Sequence, residues 1–290
     1  MRSDFVTFIM SYGRSDRVKT VKVLEDGGYT GDWFIVIDNE DSQGDEYRRL
    51  YGDKVIMFDK SEAAKITDIM DLDKDRQSVT FVRNYCFVLA EQLGYRYFLE
   101  LDDDYSSLMY RYVEGDKLTS SNVKNFDDLF EAMIDFLDVS GALTVAFAQG
   151  GDFIGGLESG NFQKKLIRKA MNTLFCDVKK PFKFFGRFDQ DVNAYVYYGN
   201  RGELLFTVCD VQVIQTQTQS NAGGLTEAYL KRGTYCKAMY AVMANPQAVK
   251  VSEMGDKHRR IHHLVSWNNC TVMILNEKWK KASKTGGKNL

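Results

Sequence analysis

The stretch Tyr97-Phe-Leu-Glu-Leu-Asp-Asp-Asp-Tyr105 decides how this chain reads, because an apolar strand runs without a break into three consecutive aspartates. Successive residues of an extended chain face opposite ways. Asp102 and Asp104 therefore point together and can share a ligand, while Asp103 faces elsewhere. Adjacent carboxylates repel and disfavour one another's ionisation, so such a triplet suits a hard divalent cation held by oxygen. Magnesium and manganese take carboxylates together with substrate phosphates and retained waters. A solvated acidic turn has the same local sequence, so the surroundings of the triplet carry the weight.

Working outward, Phe5–Met10, Trp33–Asp38 and Val55–Asp59 are further short apolar runs, and the last two also end in aspartate. Helical signals lie between them. Arg14–Leu24 carries apolar residues at 18, 21 and 24 and stops at Gly27-Gly28, and Val79–Leu93 stops at Gly94. A helix near Phe126–Leu137 and a strand near Leu143–Ala148 follow. Continuous apolar strands interleaved with helices predict an α/β fold with a parallel-rich sheet covered on both faces. In such sheets ligands bind outside the carboxyl ends of the strands, and parallel strands would bring Asp38, Asp59 and Asp102–Asp104 to that one edge. Neither a Gly-x-Gly-x-x-Gly turn nor a Walker-type Gly-Lys-Ser/Thr loop is present, so phosphate has to be held by other means.

The texture changes after residue 150. Gly150-Gly151 and Gly155-Gly156 bracket a loop, Glu203–Gln217 reads as one long strand or two, and Gln215–Gly224 as a polar loop. Gln163–Arg187 holds eight Lys or Arg against the single acid Asp177. These divisions predict one domain over 1–275, with a nucleotide half (1–150) and an acceptor half (151–275), followed by a basic, mobile tail at 276–290. A net charge of −2 over 290 residues argues against wholesale coating of nucleic acid and leaves room for a local basic face. No apolar run reaches the roughly 18–20 residues that span a bilayer. Five scattered cysteines without a Cys-x-x-Cys pair read as reduced thiols in a cytoplasmic protein.

Several side chains offer chemistry. Asp38 can accept from a nucleoside or cap a turn. Arg83 and Asn84 open the 79–93 helix, where backbone dipoles favour phosphate, although an ordinary surface arginine fits the position equally. Asp189 and Asp191 begin another helix, either as dipole caps or as a general base for an acceptor hydroxyl. His258, His262 and His263 are spaced so that two share a helical face, as metal or phosphate ligands or as plain surface residues. Lys164, Lys165, Arg168, Lys169, Lys179, Lys180, Lys183 and Arg187 interleave with Phe175, Phe182, Phe184 and Phe185. That mixture is what a polyanion groove with stacking platforms uses; the alternative is a solvated helix with its aromatics in the core.

Taken in order, YFLELDDDY (97–105), AQGGDFIGG (148–156), RKAMN (168–172), GRFDQDVNAY (186–195), QTQSNAGGLTEAY (217–229), GTYCK (233–237) and HRRIHH (258–263) resemble a known family. They resemble the phage-encoded TET-associated glycosyltransferases, which have the single-domain A-type glycosyltransferase fold and sugar-modify hydroxymethylated pyrimidines in DNA. The resemblance implies transfer from a UDP-sugar to DNA, with 5-hydroxymethylcytosine the leading acceptor. It implies Mn2+ or Mg2+ on Asp102 and Asp104, closed by His262 or His263. It places the donor against Ser11, Arg14, Asp38, Arg83, Asn84, Asp103, Gly150, Gly151 and Asp152. DNA would lie along Lys164, Lys165, Arg168, Lys169, Asn172, Lys179, Lys180 and Arg187. Where the family has Glu-Asp, this chain has Asp189 followed by Gln190, so the acceptor base is either Asp189 or Asp191. The rival expectations are a glycosyltransferase acting on a glycan or protein, and a silent DNA-binding relative.

Overall fold

The apolar runs become the first four strands of one large sheet. The structure, a computed structural model, describes residues 1–215, 232–233, 235–255, 259–270 and 277–279. Strands β1 (Phe5–Met10), β2 (Asp32–Asp38) and β3 (Val55–Phe58) alternate with helices α1 (Lys19–Asp26), α2 (Gly44–Tyr51) and α3 (Lys60–Lys65). Helix α4 (Thr80–Gln92) then leads into β4 (Tyr97–Asp102), which runs on through the aspartate corner into a hairpin, β5 (Tyr105–Glu114) and β6 (Lys117–Asn122). Helix α5 (Phe126–Ser140) and β7 (Thr144–Ala148) come next, followed by α6 (Gly160–Lys164), β8 (Leu166–Ile167) and β9 (Leu174–Asp177). Helix α7 (Gln190–Gly199) and the long β10 (Leu205–Gln215) complete the sheet. Helix α8 (Tyr235–Ala244) and the short α9 (Trp267–Cys270) pack beside α7, and the β11–β12 hairpin (Val249–Met254, Arg260–Val265) packs on α8.

The strand order is β3-β2-β1-β4-β9-β7-β10-β5-β6, with β8 paired to β10. Strands β1 to β4 are mutually parallel, as their apolar character predicts, and β7 and β10 are parallel to one another. Strand β9 runs antiparallel between β4 and β7. The sheet is therefore the Rossmann-like mixed sheet that the resemblance implies, parallel through β1 to β4 and antiparallel at β9, β5 and β6. With this register the carboxyl ends of β1, β2, β4, β7 and β10 and the amino end of β9 share one edge.

Alternation along each strand sorts the core. Phe5, Ile9, Tyr97, Leu99 and Leu101 pack with α1 and α5 on one face, and Val6, Phe8 and Phe98 pack with α4 on the other. Glu100 and Asp102 share the Phe98 face by the same two-residue period, which aims them at α4. The basic segment folds differently from a stacking groove. Phe175, Phe182 and Phe184 are buried in the core, and Phe185 packs edge-on against Tyr197. The 217–229 motif, His258 and nearly all of the 276–290 tail lie outside the described residues. Among the described residues no helix is long and apolar enough to cross a membrane.

Candidate active site

A cavity of about 570 Å³ opens at the shared edge, within the range of small-molecule sites. Ser11, Tyr12 and Arg14 follow β1 into its wall, and Asp38 enters at the end of β2. The Asp102–Asp104 corner forms its floor, with Gln149, Asn172 and Gln215 beyond. Asp189, Gln190, Asp191 and Tyr195 come from the start of α7, and Lys237, His262, His263 and Trp267 from the C-terminal elements.

The acidic corner holds more negative than positive charge. Arg83, almost completely buried, reaches inward from α4 and donates Nη1 to Glu100 Oε2 at 2.9 Å and Nη2 to Asp102 Oδ1 at 3.3 Å. One guanidinium thus serves two carboxylates. Burial pushes Asp102 up to about 7 against the pull of Arg83, and Asp104, Asp103 and Asp191 add to the rise. Glu100 is pushed up to about 7, again by burial and against Arg83. Burial and Asp103 raise Asp104, against the weaker pull of Arg14 and Lys19. Burial raises Asp191 too, outweighing Arg83. The Asp102 side chain is still 33% exposed to the cavity, so an incoming cation can reach it.

Asp103 turns away, as the alternation predicts. Its carboxylate accepts from Ser11 Oγ at 2.6 Å and from Arg14 Nη1 at 2.9 Å. Tyr47 Oη meets Ser11 Oγ at 2.6 Å and accepts from the Arg14 amide at 2.9 Å. The loop after β1 is in this way tied to the corner. Asp38 accepts from Lys60 Nζ at 2.9 Å, and that ammonium also sits 5.0 Å from the centre of the Tyr12 ring.

A second acidic group stands opposite. Asp189 has φ = 50°, a left-handed backbone unusual outside glycine. Its Oδ1 lies 2.9 Å from Lys237 Nζ and its Oδ2 2.8 Å from His263 Nδ1. Burial alone would raise this carboxyl, but Lys237 and His263 hold it below its ordinary value. His262 is pushed down to about 4 by burial, with His263 and Lys237 adding to the fall.

Residues 5–224 match the family model of the TET-associated glycosyltransferases. The chain belongs to that family. Its α/β architecture, one large mixed sheet with helices, is the one the resemblance implies. No curated protein matches it. Two solved structures of glucosyl-3-phosphoglycerate synthase from Mycobacterium tuberculosis, described with Mn2+ and UDP, are 8% identical to it. Each covers 91% of this chain, and 87% or 88% of its own, at TM-scores of 0.44 and 0.46. Mannose-1-phosphate geranyltransferase from Thermus thermophilus is 12% identical over 73% of this chain and 76% of its own, with a TM-score of 0.33.

In this glycosyltransferase, Ser11, Arg14, Asp38, Arg83 and Asp102–Asp104 converge on one cavity, and Asp189, Asp191, His262 and His263 reach it from the opposite wall. Other expected residues do not. Asn84 is buried behind α4, where its side-chain amide accepts from the Phe184 N–H and donates to the Phe184 carbonyl. Gly150 and Gly151 form a tight turn (150–153) outside the lining. Asp152 is buried beneath it, accepting from Asn161 and pairing with Lys169. Among the described residues no group of three or more His, Cys, Asp or Glu side chains is placed to hold a metal by itself. The predicted set Asp102, Asp104, His262 and His263 is therefore no closed protein cage.

The expected DNA face is dispersed. Arg187 is wholly buried, forking onto Asp71 and donating to the carbonyls of Asp75 and Gln77. Lys169 and Asn172 line the cavity. Arg168 donates to the Glu203 carbonyl and Lys165 pairs with Asp210. Lys164 is exposed at the end of α6. Lys179 and Lys180 follow the carboxyl end of β9, at the sheet edge opposite the cavity.

Sequence reading gave no role to Glu100, Lys60, Tyr195, Lys237 and Trp267. Glu100 left a signal as a lone acid inside an apolar strand, since a buried carboxylate needs a partner, and Tyr195 and Lys237 lie at the ends of the 186–195 and 233–237 motifs. The others owe their positions to chain segments that meet only in the fold.

Proposed function

We propose that this glycosyltransferase moves a sugar from a uridine-linked donor to the hydroxymethyl oxygen of a modified pyrimidine in DNA. The observation that carries the reading is the surplus of negative charge at the aspartate corner. Asp102 and Asp104 face a cavity of nucleotide-sugar size beside Asp191, and Arg83 divides its charge between Asp102 and Glu100. Asp102 and Asp104 would be the oxygen donors for a divalent cation, with His262 and His263 reaching the same cavity from the opposite wall. The open coordination suits a cation that keeps waters and takes substrate phosphates. When bound, such an ion supplies charge stabilisation to the departing diphosphate.

The chain's own residues do the rest. Asp38, with Lys60 beside it, and Ser11 receive the nucleoside. Arg14, pinned by Asp103, faces the phosphates. The acceptor oxygen forms a bond to the anomeric carbon as the bond from that carbon to the diphosphate breaks. In an inverting transfer the acceptor proton passes to Asp191, whose raised affinity for protons suits a base.

The test incubates DNA containing hydroxymethylcytosine with the protein, manganese and a panel of uridine-linked sugars, then weighs the released nucleosides. One sugar gained on the modified base, and lost with Asp104→Ala, supports the reading; no gain with any donor removes it. The dispersal of the basic residues favours a second reading, in which the acceptor is a glycan or protein. That acceptor would be bound with little dependence on salt, whereas DNA binding weakens steeply with it.

A further inference from the structure

One aromatic pair at the cavity rim has no part in the chemistry described so far. Tyr195 stands on α7 four residues after Asp191, and residues four apart share a helix face. Its ring is buried, and the indole of Trp267 on α9 lies parallel to it, with centroids 5.8 Å apart and planes 8° apart. Both rings line the cavity, yet Trp267 remains 46% exposed. A buried, neutral phenol therefore backs a half-open indole face on the Asp191 side of the site.

The strand order says which substrate that face meets. Asp38, Tyr12 and Lys60 lie on the β1–β3 side of the aspartate corner, whereas Tyr195 and Trp267 come from α7 and α9, which pack on one another, with α7 against β10 on the far side of β4. A donor nucleoside seated against Asp38 leaves the Tyr195–Trp267 wall to the acceptor. The other groups on that wall mix polar side chains with the aliphatic Met171, Leu264 and Val265, and a planar heteroaromatic ring is the chemistry a supported indole recognises best. We infer that Trp267, braced by Tyr195, is the stacking platform for the acceptor pyrimidine, turning its hydroxymethyl group toward Asp191. This rests on the proposed transfer to a base, and it adds a residue that sets acceptor specificity. A base turned out of a helix needs such a surface to replace the stacking it loses.

The test measures transfer to an oligonucleotide carrying one hydroxymethylcytosine, using the uridine-linked sugar that supports the reaction. Wild type, Trp267→Phe and Trp267→Ala are compared with acceptor and donor varied separately, and with the free modified mononucleotide as a second acceptor. Base-on-aromatic stacking is worth about 1–3 kcal/mol, or roughly 5- to 150-fold. Trp267→Ala is expected to raise KM for both acceptors within that range, Trp267→Phe to recover most of it, and KM for the donor to stay within about twofold. Equal rises for donor and acceptor, or a loss that Phe does not recover, would show Trp267 to be a structural wedge and overturn the inference. Transfer by wild type with no acceptor effect in Trp267→Ala removes the platform and leaves the transfer reading standing. Transfer to a glycan and to no base removes both.

Discussion

The cavity has two acidic corners that differ in what surrounds them. Asp102, Asp103 and Asp104 follow β4 with Glu100 and Asp191 close by, and burial pushes Asp102 and Glu100 up to about 7 against the pull of Arg83, which the two carboxylates share. Asp189 begins α7 with Lys237 on one oxygen and His263 on the other, and is held below its ordinary value. Buried carboxylates whose proton affinity is raised are where a cation is wanted, and a carboxylate held below its ordinary value makes a poor proton acceptor. The contrast favours Asp102 and Asp104 for the metal and Asp191 for the acceptor base. It gives Asp189 the task of fixing α8 and β12 against the cavity wall.

The largest effect expected from this contrast is at the corner itself. Asp104→Ala should lower transfer to background with the thermal midpoint retained, and full activity in that variant, or in excess chelator, would dissolve the distinction. Next come the two α7 acids. Asp191→Asn should lose about 10²–10⁴-fold in kcat. Asp189→Asn should keep kcat within about an order of magnitude of wild type, yet lose about 1–3 kcal/mol in denaturant unfolding, because it removes the buried charge that faces Lys237 and His263. A kcat loss larger for Asp189→Asn than for Asp191→Asn would reverse the assignment.

A smaller effect is expected with pH. Glu100 and Asp102 titrate near 7 in the fold against 4.5 and 3.8 in the open chain. Between those values the unfolded chain holds fewer protons than the native one, so stability falls as pH rises from about 4 to 7. Manganese, which competes with those protons, should therefore raise the thermal midpoint more at about pH 8 than at about pH 5. Equal shifts at both would mean that the ion binds elsewhere. The smallest effect is at the sheet edge away from the cavity. Lys179→Glu and Lys180→Glu should change stability by less than about 0.5 kcal/mol and leave the salt dependence of DNA binding as in wild type. Lys164→Glu on the α6 side should flatten that dependence.

Much of the N-terminal half is legible because its signals are local. Phe5–Met10 and Trp33–Asp38 are apolar enough to declare buried strands, Gly27-Gly28 and Gly94 stop their helices, and the aspartates sit where those strands end. The hairpin 105–122 escapes a sequence reading, since Tyr105–Glu114 mixes Ser, Tyr and Arg on a half-exposed edge where alternation is weak. Strand β9 is hidden inside a basic run, its four residues too few to show a period. The run itself misleads for a related reason. Arg187 looks like a free surface charge in sequence, and only the fold supplies Asp71 and the carbonyls that enclose it.

The sequence by itself determined the α/β alternation and the placing of carboxylates at strand ends. Burial and the two-residue period of a strand act over a few neighbouring residues and leave their pattern in the order of the chain. Only the tertiary structure decided which carboxylates burial raises and which a neighbouring cation holds low. That depends on Arg83, Lys237 and His263, which approach Asp102 and Asp189 from distant segments, and on a low-dielectric surrounding that exists only once those segments have met.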